Sequence, residues 1–213
     1  VDQNKEYLKQ LAGLGITRFF VCLVPRDPQK SRSENYDIAL KSMDPLAHLA
    51  ADLGGQIAIE GWPGGFPYHP TPCCNPETYR RMLKDVASPG LGINYDPSHL
   101  IRMGIDHIRF LEEFLPHVGH VHGKDTEILT EALYEYGTLQ TAAFQPGFHC
   151  GENYWRYTIP GHGQARWVKA FQMLAAANWK GIISIELEDH SFHGSPEAEK
   201  QGFLCGKAFL ETA

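Results

Sequence analysis

The stretch LGINYD, residues 91–96, decides the fold. Leu91, Ile93 and Tyr95 alternate with Gly92, Asn94 and Asp96, the period of two expected of a β-strand with unlike faces. The run follows a helical pattern over 76–87 and ends on a carboxylate. Three other stretches behave alike: QIAIE (56–60), GHVH (119–122) and GIISIE (181–186). Counting back from each terminal residue gives four one-face sets. They are Gln56, Ala58, Glu60; Gly92, Asn94, Asp96; Val118, His120, His122; and Ile182, Ser184, Glu186. Each set ends on a metal-ligand type, and the layer beneath is small or polar. The opposite face is apolar, with Ile57, Ile59, Ile93, Tyr95, Ile183 and Ile185.

Working outward, an earlier strand is expected in GITRFFVCLV, residues 15–24, a β-branched and aromatic run. Helical spacing marks residues 3–13, 36–53, 76–87, 105–115, 128–135, 165–177 and 196–211. Within 36–53, Asp44-Pro45 reads as a restart, with Asp44 as N-cap and Pro45 in the first turn. Five strands separated by helices imply βα units and a parallel sheet. Both barrels and open α/β sheets place their sites at the carboxyl ends of strands. No GxGxxG follows a strand here, and the inward layers are those of a barrel.

The expected fold is therefore α/β, a (β/α)8 TIM barrel of which the chain holds the last five βα units. Residues 1–213 are expected to form one domain, about strands four to eight, with a long loop insertion at 123–163. A complete barrel needs eight strands and about 250 residues. The expectation is a fragment of a longer chain, natural or artificial.

Composition narrows the partners. Among 213 residues the net charge is -6, so the basic footprint of a broad nucleic-acid or membrane-surface binder is missing. No apolar run approaches the roughly 18 residues of a membrane span. The opening VDQNKEYLKQ is charged and leads into no signal-peptide core. The five cysteines lack framework or CxxC spacing and read as free thiols in a reducing compartment, so a cytoplasmic location is expected.

The strand-end set carries the chemistry. Glu60, Asp96 and Glu186 would place three carboxylates in one barrel mouth, where mutual repulsion would force protonation unless a cation intervened. With His122 the set is oxygen-rich with one imidazole, which suits one divalent ion, Mn²⁺, Mg²⁺, Co²⁺ or Zn²⁺.

The motifs IAIEGWPGG, GINYDPSHL, GHVHGKD and IPGHG, followed by GIISIELED, resemble the xylose isomerase-like TIM barrel superfamily, and within it the sugar phosphate isomerase/epimerase group. The resemblance covers nearly the whole chain. It implies a metal held by Glu60, Asp96, His122 and Glu186, with Glu60 and Glu186 also moving protons through an enediolate. His99 matches a family histidine that contacts substrate oxygen. Two departures stand out. The stretch after the metal histidine, Gly-Lys-Asp-Thr-Glu-Ile, lacks the Arg that ketose epimerases carry there, and Trp-Pro-Gly-Gly-Phe stands where they carry a second Glu. Lys124 is the candidate replacement for the Arg as a substrate or phosphate contact, with a salt bridge to Asp125 as the alternative. His162, in a Gly-His-Gly turn, and Trp62 are further substrate-binding candidates. Phe66, Tyr68, Tyr154, Trp155 and Tyr157 could either line a sugar-stacking wall or pack the loop onto the barrel.

The expected function is a metal-dependent isomerase or epimerase of a small sugar, sugar phosphate or related hydroxyketone. Nucleic acid and membrane are not expected partners, and a homo-oligomer is left open. The alternatives are an inosose-type dehydratase of a cyclic polyol, an endonuclease IV-like phosphodiesterase, and a non-catalytic fragment.

Overall fold

A computed structural model describes residues 1–65 and 70–213. Two compact units emerge, Val1–Tyr95 with Phe114–His120, and Asp96–Glu113 with Val121–Ala213.

The first unit runs α1 (Asp2–Gly13), β1 (Arg18–Cys22), α2 (Arg32–Asp52), β2 (Gln56–Glu60), α3 (Pro76–Val86) and β3 (Leu91–Tyr95). The three strands pair in parallel, with Cys22 opposite Glu60 and Glu60 opposite Asn94. Both long helices begin at capping boxes. Ser31 accepts from the Glu34 amide while Glu34 reaches back to the Ser31 amide, and Asn75 and Thr78 do the same for α3. The core is Met43, Leu46, Ala47 and Ala50 of α2 and Tyr79, Met82 and Val86 of α3 against Ile57, Ile59, Leu91 and Ile93. Gly90 is required here, because a side chain would run into the α2 backbone at Ala47 and Ala51.

The second unit contains α4 (Pro97–Arg102), most of α5 (His107–Phe114), β5 (Asp125–Ile128), α6 (Thr130–Tyr136), β6 (Trp155–Thr158), α7 (Trp167–Ala176), β7 (Ile183–Ile185) and α8 (Pro196–Thr212). Strand β4 (Val118–Gly123) contributes residues to both units and pairs in parallel with β7, His122 opposite Ser184. The sheet order is β1-β2-β3-β4-β7, the five parallel strands expected of five βα units.

Three local expectations change. The α2 helix runs unbroken through Pro45, because its buried stripe from Met43 to Ala50 spans the proline and packing outweighs the lost backbone bond. The Asp-Pro helix start occurs instead at Asp96-Pro97, where α4 begins. Within 123–163, β5 and β6 form a separate antiparallel pair, Asp125 opposite Thr158 and Ile128 opposite Trp155. Each is only four residues long and its partner is distant in sequence, so alternation alone could not reveal the pair. The last strand is also shorter than GIISIE, with Ile182 largely exposed, since β7 is hydrogen-bonded along one side only.

Candidate metal centre

Asp96 is oriented by its own chain. It caps α4, and its Oδ1 accepts from the Ser98 amide at 2.8 Å and the Ser98 hydroxyl at 2.6 Å. Its second oxygen, Oδ2, is buried and accepts no hydrogen bond among the described residues. That oxygen faces three groups of the second unit, one on α4 itself and two from β4 and the residue after it. Lys124 Nζ lies 3.3 Å away, His99 Nε2 3.5 Å and His122 Nδ1 3.9 Å. His122 Nδ1 is in turn 3.2 Å from Glu186 Oε2. Two carboxylates and an imidazole thus converge, from the start of α4, from β4 and from the residue after β7.

Lys124, the candidate substrate contact, ties the cluster together. It is 1% exposed, the largest fully buried charged side chain among the described residues. Its ammonium donates to Glu186 Oε2 at 2.5 Å and to Glu188 Oε2 at 2.9 Å. Burial alone would push its pKa down, but Asp96, Tyr157, Glu186 and Glu188 outweigh it and hold the group well above the ordinary lysine value. The salt bridge to Asp125 considered from sequence is not the arrangement found. Asp125 instead accepts from the amides of Thr126, Gly161 and Ala165 and from Trp167 Nε1.

Glu188 was missed in the sequence, although it shares the parity of Glu186 two residues earlier and could have been found by extending the count. Arg102 was missed as well. Tyr157 and Trp155 are buried, with Arg102 stacked 4.2 Å over the Trp155 ring, so these aromatics pack the β5–β6 pair rather than present an open wall. Tyr154 donates from its hydroxyl to the Arg102 carbonyl. His162 is exposed, its ring 6.1 Å from that of Phe192. Phe66 and Tyr68 lie outside the described residues.

In the first unit Glu60 ends β2 and is 3% exposed. Its Oε2 accepts from Asn94 Nδ2 at 2.6 Å, and the Cys22 thiol lies 3.7 Å from Oε1. Neutral donors of this kind hold a buried carboxylate in place without neutralising it. Trp62, two residues further on, is half-buried.

The donor set fits a divalent cation: carboxylates and one imidazole, with a buried carboxylate oxygen that accepts no hydrogen bond. Fold and site define a family. The chain belongs to the xylose isomerase-like TIM barrels, whose pattern it matches over residues 1–209. It is 33% identical over 165 residues to the uncharacterised protein YfiH of Bacillus subtilis, covering 76% of this chain and 49% of that protein. It is 25% identical over 164 residues to inosose dehydratase of Geobacillus thermodenitrificans, covering 76% and 50%. Among solved structures, 3-keto-D-glucoside 4-epimerase of E. coli superposes with a TM-score of 0.63 at 17% identity, covering all of this chain and 70% of that one, a likeness of fold. The chain spans about half the length of the curated relatives it matches.

Proposed function

We propose that this chain carries the metal and acid–base groups of an enzyme that moves a proton at the carbon beside a carbonyl. Its substrate would be a small sugar, sugar phosphate or related hydroxyketone, and the reaction an isomerisation or epimerisation. The observation that supports this best is the buried Asp96 Oδ2, which accepts no hydrogen bond among the described residues and sits beside His122 in a cluster with Glu186. Glu60 would complete the set as a fourth donor to one ion, a reading supported by its strand-end position on β2, which matches the place of Asp96 after β3 and of Glu186 after β7. The ion would stabilise negative charge on the substrate oxygen next to the abstracted proton. Glu186 and Glu60 would each exchange a proton with the substrate carbon, one removing and one returning it. His99 would donate to a substrate oxygen, and Lys124 would hold an anionic group or a hydroxyl.

A second reading is favoured by the inosose dehydratase relative and by Lys124. Proton abstraction beside a carbonyl would be followed by loss of a neighbouring hydroxyl as water, with Lys124 or a protonated Glu186 supplying the proton. One assay separates the two. Ketoses, ketose phosphates and inososes are incubated with the protein and Mn²⁺ in deuterated water. Deuterium appearing at carbon in a compound of unchanged composition supports the isomerase reading. Loss of water with formation of an unsaturated or diketo product supports the dehydratase. Exchange that persists undiminished in Glu186→Gln and Glu60→Gln would defeat both.

A further inference from the structure

Two segments of the second unit bring three histidines together on its surface. The His149 and His193 rings stack with centroids 4.0 Å apart, and the His190 ring lies 5.6 Å from that of His193. We propose that His149, His190 and His193 bind a Zn²⁺ ion through a donor set separate from the carboxylate cluster.

The residue types select the ion. Imidazole suits zinc and its transition-metal neighbours, whereas Mg²⁺ and Mn²⁺ prefer oxygen donors. All three rings are exposed, and among the described residues their nitrogens make no hydrogen bond or ion pair with the protein. The nearby acids are occupied. Asp189 Oδ1 accepts from the Ser191 amide at 2.7 Å and its Oδ2 from the Ile159 amide at 2.9 Å, while Glu188 accepts from Lys124. The imidazole lone pairs are therefore open to a cation.

The spacing agrees. Two imidazoles on one tetrahedral zinc, each about 2.1 Å from it, have ring centres about 5 Å apart. The spacings of 4.0 and 5.6 Å lie on either side of that value. The His149 and His193 planes are only 29° apart, so stacked in this way their nitrogens do not aim at one point. Exposed side chains change rotamer within nanoseconds, and turning these two rings edge-on is the movement that coordination needs. Water would fill the fourth position.

The backbone beneath the rings is fixed. His149 rides on a turn in which the Gly151 amide donates to the Phe148 carbonyl. Cys150, left-handed at φ 56°, offers its carbonyl to the Tyr157 amide at 2.8 Å. A non-glycine residue holds that conformation where its surroundings enforce it. His190 and His193 flank a single helical turn capped by the buried Asp189, whose side chain also ties the turn to Ile159. Phe148 packs edge-on against His190, with ring centres 5.8 Å apart. Both segments are thus anchored around β6, and a bound zinc would clamp residues 148–151 to 190–193. The assignment stands apart from the proposed reaction.

The test maps the imidazoles in the full chain. Diethylpyrocarbonate acylates exposed imidazole nitrogens, and peptide mass spectrometry gives the rate at each histidine at about pH 7, where ordinary imidazoles are mostly unprotonated. A small excess of Zn²⁺ should slow acylation of His149, His190 and His193 together by about tenfold, while the exposed His48 and His117 react unchanged. Mg²⁺ should give no protection. Rates at the three that ignore Zn²⁺, or that fall equally with Mg²⁺, overturn the proposal without any variant. Elemental analysis gives an independent reading. The double variant His149→Gln, His193→Gln alters exposed side chains and should hold one Zn²⁺ fewer per chain than its parent. His122→Ala should keep the protection pattern. An unchanged zinc content in the double variant, or protection lost in His122→Ala, assigns the ion elsewhere and overturns the proposal.

Discussion

Nζ of Lys124 lies 2.5 Å from Oε2 of Glu186, so the chain supplies its own cation to a carboxylate of the candidate metal set. Asp96 and Glu188 share the same ammonium. A single positive charge therefore offsets three negative ones, and the cluster still favours a further cation.

An ammonium and a divalent ion that share carboxylates compete. Lys124→Met should tighten Mn²⁺ binding by about tenfold, near 1.4 kcal/mol, in isothermal titration calorimetry. The same variant should lower the melting temperature of the metal-free protein, since three buried or half-buried carboxylates lose their partner. Unchanged affinity would show that the lysine and the metal do not share these groups.

Ligand and substrate-facing groups should separate cleanly. Asp96→Asn and His122→Ala should each lower bound metal by elemental analysis, since each removes one donor of the right type. His99→Ala should retain metal and lose turnover by about a hundredfold, the scale of one lost charge-stabilising donor. Metal lost from His99→Ala would make His99 a ligand.

Asp125 is a structural keystone. Its carboxylate gathers three backbone amides and the Trp167 indole, tying the start of β5 to residues 161–167. Burial pushes its pKa up, against those four hydrogen bonds, which favour the charged form. Asp125→Ala should cost about 3 kcal/mol or more in urea unfolding, because several buried donors lose their acceptor together. A cost below about 1 kcal/mol would mean that water replaces the carboxylate.

His107 should make stability depend on pH. Burial, helped by the Arg166 charge, lowers its pKa from 6.5 to about 4, and its Nε2 accepts from the Arg166 amide at 3.0 Å. The folded state resists the proton that the unfolded chain takes up readily. Stability from this residue is complete above pH 6.5 and falls as the pH drops toward 4, by about 3 kcal/mol in all. His107→Gln, which keeps an acceptor and cannot charge, should flatten that part of the stability profile. An unchanged slope would assign the effect to other groups.

Much of the fold was legible in one dimension. The alternation in LGINYD, QIAIE and GIISIE fixed which side chains share a face, and helical periods between them implied parallel βα units. Because pleating obliges every second residue to point the same way, Glu60, Asp96, His122 and Glu186 form one candidate set in the sequence alone. What lay beyond that period stayed hidden. The β5–β6 pair depends on contacts between segments some thirty residues apart, and unbroken α2 depends on what packs beneath Pro45.

The sequence by itself determined the βα order and the family and singled out the strand-end candidates, since these follow from local periodicity and residue type. Only the tertiary structure decided where Lys124 places its charge, that Glu188 shares it, and that Tyr157 and Arg102 stand behind His99. Hydrogen-bond partners and ion pairs are set by distances of a few ångströms between remote segments, and no one-dimensional pattern encodes those.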